Sequence, residues 1–153
     1  MTRRFLGLLL LVAIPATAQT FGLAIGTSGP TCLLLGNTTY RMAAPGARAD
    51  YVVRIDSAAL SPDIRIQLSD TLDAADLVLV DDGEQQPGCS GKAVKDVRID
   101  AEATAPDLTI SFAAPSTPAD YRIFVRSDAV EPMAAAALFA ASRTAVRKGH
   151  HSN

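Results

Sequence analysis

The sequence predicts a two-layer α+β domain: a mostly antiparallel β-sheet packed by one C-terminal α-helix. Three observations lead there. Between Tyr51 and Arg126 short runs alternate apolar and polar side chains, the period of a strand with one buried face. The runs are separated by segments carrying proline, glycine, serine and aspartate, which favour turns. Only Met133–Arg147 is long, alanine-rich and uninterrupted, the composition of a helix. A β-sandwich with a terminal helix is the alternative arrangement of the same elements.

Taken in order, Thr31 to Leu35 is a compact apolar run, Gly36-Asn37 is a turn signal, and Thr38 to Met42 is rich in β-formers, so the three read as a hairpin. Residues 43–50, with Pro45 and Gly46, form a linker. Tyr51, Val53 and Ile55 then share one strand face, and Ile64, Ile66 and Leu68 share another. Residues 71–76 supply one helical turn at most. Leu77-Val78-Leu79-Val80 is apolar on both faces, which predicts an interior strand covered on either side. Val97 and Ile99, then Leu108, Ile110 and Phe112, then Tyr121, Ile123 and Val125 define three further one-faced strands. No period of 20 to 50 residues repeats, so a solenoid is not expected.

The helix begins at Glu131-Pro132, an N-cap and first-turn pair, since proline has no amide hydrogen to leave unpaired there. Ala135, Leu138, Phe139, Ser142 and Val146 fall on one face, a stripe expected to lie across the sheet. Arg143, Arg147 and Lys148 oppose the negative end of the helix dipole, and Gly149 is the expected stop.

The first eighteen residues have the form of an export signal. Arg3 and Arg4 form a positive start, Phe5 to Ile14 an apolar run too short to span a bilayer, and Pro15 to Ala18 ends in an A-x-A pattern, placing cleavage between Ala18 and Gln19. The expected organisation is therefore a signal peptide over 1–18, a single exported domain over 19–148, and a disordered tail over 149–153. Gln19 is not the cysteine that lipid anchoring requires, so no stable membrane anchor is expected, and the product belongs to the periplasm or the medium. In that oxidising compartment the only two cysteines, Cys32 and Cys89, are expected to form a disulfide.

Composition excludes more than it identifies. From Gln19 onward 12 basic residues face 16 acidic ones, a net charge of −4, and the one basic cluster is C-terminal, so nucleic acid is not an expected partner. No glycine-rich phosphate loop accompanies a strand, and no cofactor is implied. Asp81, Asp82 and Glu84 offer the best oxygen cluster for a metal, but their spacing is that of a solvated strand end. His150 and His151 are adjacent in the tail and cannot complete a serine triad within the domain. Asn37-Thr38-Thr39 matches a glycosylation acceptor, a pattern too short to argue from. Asp56, Asp63, Asp70, Asp100 and Asp120 leave carboxylate hydrolysis as the enzymatic alternative, although turn aspartates explain them better. Arg122, Phe124 and Arg126 share an outward strand face and form a candidate recognition patch.

No catalytic residue emerges, and the expected activity is binding rather than catalysis. The reading is a small exported interaction protein of the cell envelope, contacting a protein or small molecule through its edge strands. The alternatives are a carboxylate hydrolase, or an inhibitor presenting the loop Glu84–Lys92 braced by the disulfide.

Overall fold

A computed structural model describes residues 31–80, Cys89 and residues 93–150. Eight strands form one sheet: β1 (Cys32–Leu35), β2 (Thr38–Met42), β3 (Tyr51–Ile55), β4 (Ile64–Leu68), β5 (Leu77–Val80), β6 (Val94–Ile99), β7 (Leu108–Phe112) and β8 (Tyr121–Arg126). They are followed by one helix, α1 (Pro132–His150). The sheet curls into a half-barrel with α1 packed on its inner side, so the α+β class holds and the sandwich does not.

The expected antiparallel pairing is wrong. Only the β1–β2 hairpin is antiparallel, turning at Gly36 with φ of 64° in the region glycine favours, and the six other strand pairs are parallel. The spatial order β1-β2-β6-β3-β7-β4-β8-β5 shows how. Strands β2 to β5 are laid down with a gap between neighbours, and β6, β7 and β8 then fill the gaps. Alternation of apolar and polar residues is the same for a one-faced strand of either direction, and connections this short suggest hairpins. Here a connection such as residues 56–63 is long enough to return along a five-residue strand while stepping over one position.

A repeat of thirteen residues underlies this arrangement. Its copies start at Asn37, Asp50, Asp63 and Asp76, and again at Val94, Asp107 and Asp120. The fourth residue of each copy points inward. Tyr40, Val53, Ile66, Val97, Ile110 and Ile123 are buried, and Leu79 of β5 is half-buried. Pairing registers follow the repeat: partners across one side of a strand differ by 55 in number, as in Val53 with Leu108, and across the other side by 46, as in Ile64 with Ile110.

The first residue of the repeat has its own task. The carboxylates of Asp50, Asp107, Asp63, Asp120 and Asp76 accept the backbone N–H groups of Asp96, Val52, Thr109, Arg65 and Arg122 on the preceding strand in the sheet, at 2.6–2.8 Å. Each aspartate amide donates in return to the carbonyl of that same partner residue, at 2.7–2.9 Å. Where the fifth copy has Val94 in place of aspartate, the amide of Thr39 bonds the Ala93 carbonyl instead. At the opposite strand ends Asp56, Ser69, Asp100 and Ser127 accept an amide two residues on, closing local turns.

The third and fifth residues face the connections on the outer side. Arg54 reaches the Ala103 carbonyl, Arg65 that of Leu60 and Gln67 that of Pro115, while Thr39, Thr109 and Ser111 are buried there. On the inner side α1 packs against every strand except β5. Glu131 accepts the first intrahelical bond, from Ala135, as its N-cap role requires. The stripe expectation is corrected: Ala135 to Ser142 are buried without interruption, all the way round the helix, because it sits inside a curved sheet and not on a flat one. Alanine is what lets the backbone approach so closely. The helix also continues through Gly149 to His150 instead of stopping, the last intrahelical bonds needing no left-handed residue at that point. The side chains beyond Thr144, including Val146, Arg147 and Lys148, lie outside what is described.

One further expectation changes. Among the described residues β5 is not an interior strand; it pairs with β8 alone and forms one edge of the sheet, leaving Val78 47% and Val80 38% exposed. Residues 71–76 contain turns and no helix. The Cys32–Cys89 disulfide is present, with Cα atoms 5.6 Å apart and a sequence separation of 57.

The enclosed helix makes Ala136→Leu and Ala140→Leu, both off the expected stripe, destabilising by about 1–3 kcal/mol through overpacking, where a one-faced helix would tolerate them; urea unfolding distinguishes the two. In the aspartate row, Asp63→Ala is expected to cost about 1–2 kcal/mol, a charged hydrogen bond discounted for its exposure, and Asp63→Asn, which keeps an acceptor, less than half of that.

Candidate functional site

Both faces of the sheet are occupied, the inner by α1 and the outer by the connections, so surface chemistry concentrates at the rims and edges. Among the described residues a recess lies at the rim where the β1–β2 turn meets α1. It is an open cleft of about 530 Å³ lined by Leu35, Gly36, Asn37, Thr38, Tyr40, Phe139, Ser142 and Arg143.

Its floor is aromatic. Tyr40 is the inward fourth residue of the first repeat, and Phe139 rises from α1, packing edge-on against Tyr121 of β8 with ring centres 5.1 Å apart and planes at 84°. Arg143, one turn further along α1, lays its guanidinium over both rings, 5.2 Å from the centre of Tyr121 and 5.9 Å from that of Phe139. Its Nε also donates to the Tyr121 hydroxyl at 3.3 Å. Three contacts thus hold an exposed cation in one orientation, and among the described residues no carboxylate pairs with it. The Ser142 hydroxyl is spent on the Phe139 carbonyl at 2.6 Å, so it offers the cleft no nucleophile.

Beside the cleft stands a second polar group. Tyr51 lies 6.4 Å from Tyr40, ring to ring, and Lys95 on the neighbouring strand pairs with Asp50 at 3.0 Å. Burial pushes the Tyr40 hydroxyl pKa up, Tyr51 adds to this, and Lys95 opposes it. Asp50 is held below the usual carboxylate range, first by the Asp96 amide and then by Lys95. Lys95 is raised in turn, mainly by its hydrogen bond to Asp50. The row formed by Arg41 and Asp96 at 2.7 Å is a separate ion pair on the outer face.

The sequence-level candidates are placed as follows. Asp56, Asp63, Asp100 and Asp120 each hold a backbone amide, which is a structural use of the carboxylate. Arg122, Phe124 and Arg126 do share the outer face of β8, where Phe124 is half-buried opposite Val78 and Arg122 reaches Gln67 at 3.4 Å. Asp81, Asp82 and Glu84, the loop Glu84–Lys92 apart from Cys89, and the cleavage site Ala18–Gln19 lie outside the described residues. No group of three or more metal-binding side chains occurs among the described residues, and no described helix is long and apolar enough to cross a membrane. Sequence reasoning missed the cleft because its residues come from the β1–β2 hairpin and from the helix, with Tyr40 and Phe139 99 positions apart. A cation four residues after a phenylalanine on the helix was the available signal.

Comparison with known protein families, curated proteins and solved structures finds no match.

The Asp50 geometry sets a pH response. Its folded-state pKa is lowered, so its stabilisation is present above the ordinary carboxylate range and is lost as pH falls through the folded value. Urea midpoints at about pH 6 and about pH 3 should therefore fall less steeply for Asp50→Asn than for the unaltered chain.

Proposed function

We propose that this chain is a small exported binding protein whose cleft between the β1–β2 turn and α1 takes a ligand joining an apolar or aromatic body to an anionic end. The single supporting observation is Arg143. Its guanidinium is fixed over Phe139 and Tyr121, has no acidic partner among the described residues, and lines the cleft. A planar guanidinium held in advance loses little freedom when it meets a carboxylate. The lining supplies apolar contact through Leu35, Tyr40 and Phe139, and a neutral polar edge through Asn37. The export reading rests on the leader-like first eighteen residues, and the Cys32–Cys89 crosslink is consistent with it.

A hydrolase has less support, because four of the five aspartates that would serve it are committed to backbone amides. An envelope interaction role through the same cleft is the protein-ligand version of the proposal, the ligand then being a chain terminus with an apolar last residue.

Phenylacetate and phenylacetamide separate charge from shape. Titration of the chain from Gln19 onward, followed by amide NMR shifts, is expected to move Leu35–Tyr40 and Phe139–Arg143 with the acid and not with the amide. Arg143→Gln should weaken the acid by about tenfold or more. Equal responses to both compounds, or shifts elsewhere on the surface, would remove the cleft from consideration.

A further inference from the structure

One edge of the sheet departs from the pattern of every other strand. In the repeat the third and fifth residues face outward, and each copy but one carries a polar or charged side chain at one or both: Thr39 and Arg41, Arg54, Arg65 and Gln67, Asp96 and Arg98, Thr109 and Ser111, Arg122. β5 carries Val78 and Val80, both exposed, on a strand with no neighbour beyond it among the described residues. Edge strands are ordinarily guarded by charge or proline, because their free N–H and C=O groups recruit further strands. In a parallel pairing alternate residues face alternate sides, so the amides and carbonyls of Val78 and Val80 point away from β8.

The repeat specifies what would fit. Across the sheet, wherever the next strand begins with aspartate, its side chain takes the amide of the third residue, as Asp107 takes that of Val52 and Asp76 that of Arg122. Val78 holds the third position of β5. A strand continuing the series therefore needs a side-chain acceptor first and apolar residues second, fourth and sixth, and it must run parallel to β5. Thr20-Phe21-Gly22-Leu23-Ala24-Ile25 meets that description, with a hydroxyl, then Phe, Leu and Ile in the three inward places and small residues between them. Residues 81–88 and 90–92, also outside the described set, do not, carrying Pro87 and three glycines and no apolar alternation.

We propose that residues 20–25 of this same chain add to the free edge of β5 as a ninth, parallel strand that narrows the open side of the half-barrel. The direction agrees. A strand parallel to β5 ends beside Val80, at the rim where β1 begins, since Cys32 of β1 is opposite Arg41 near the end of β2. Six residues, 26–31, join that point to β1 and extend to roughly 20 Å. The disulfide already connects the two edges of the sheet at that rim, because the chain leaving Val80 reaches Cys89, and through it Cys32, after nine residues. Among the described elements β5 is also the one strand that α1 does not touch, and its inner residues Leu77 and Leu79 are only half-buried. Phe21, Leu23 and Ile25 complete the apolar interior there.

Native-state amide exchange on the chain beginning at Gln19 tests this. The amides of Val78 and Val80 are expected to exchange at least about 100-fold more slowly than in an unstructured peptide, unchanged over about a fiftyfold dilution. Leu23→Asp should bring both close to the unstructured rate while Val53 and Ile110 keep their protection, and Leu23→Val should retain the slow exchange. Fast exchange at Val78 in the unaltered chain overturns the proposal, as does slow exchange that survives Leu23→Asp. Protection that fades on dilution also overturns it, assigning the edge to a second copy.

Discussion

The two-point clamp between each aspartate and the strand beside it is the constraint from which the architecture follows. A carboxylate takes the amide of one residue while the aspartate's own amide gives to that residue's carbonyl. Both bonds are satisfied at a single register, and a slip by one residue would break them and turn every inward side chain outward. This matters more here than in a hairpin sheet, where the turn sets the register. No strand from β3 to β8 pairs with a strand adjacent to it in sequence, and partners are 46 or 55 residues apart. The first four copies of the repeat must wait for the last three before any of them has its parallel neighbours. Such distant pairing brings loop-closure entropy before reward, which favours slow folding. The crosslink between Cys32 and Cys89 shortens that search, constraining the unfolded chain by about 4 kcal/mol in the loop-entropy picture.

The curvature of the sheet decides what the helix can be. A flat sheet asks for one apolar stripe; a half-barrel surrounds its guest, and Ala135 to Ser142 are accordingly all buried. Leu138 and Phe139 are the only large side chains in that stretch, and they occur where the surrounding strands leave room. Phe139 then does two things at once, filling the interior against Tyr121 and supporting the guanidinium of Arg143 at the rim. The position of Arg143 at the rim is thus a consequence of how deep the helix sits.

Much of this was legible in the residues, and what was not has physical reasons. Strand positions, the hairpin, the helix start at Pro132 and the cysteine pair follow from local chemistry that does not depend on neighbours. Strand direction does depend on neighbours: Tyr51-Val52-Val53-Arg54-Ile55 has the same alternation in either sense, and the short connections misled toward hairpins. The useful signal was the aspartate recurring at 50, 63 and 76 and at 107 and 120, which reads as scattered turn acids until its thirteen-residue spacing is noticed. Leu77–Val80 was misplaced for a related reason. Apolarity on both faces is the mark of a covered strand, and on an edge it marks a surface left unguarded. Of the cleft, the separate parts were visible but not their meeting, since Tyr40 and Arg143 are joined only by the curl of the sheet.

Departures from a repeat carry information that the repeat itself cannot. Five copies begin with aspartate because a neighbouring amide is there to be held; the first begins with Asn37, where the neighbour is the antiparallel β1, and that residue lines the cleft instead. The fourth has valines where the others have polar groups, at the opposite end of the sheet. Interior copies answer to the sheet, and their side chains are committed to amides, carbonyls and core. Among the described residues the terminal copies alone have a side with nothing of the repeat beyond it. The proposed ligand cleft lies at the rim of the first copy and the proposed strand addition at the edge of the fourth, the two places where the repeat leaves a side uncommitted.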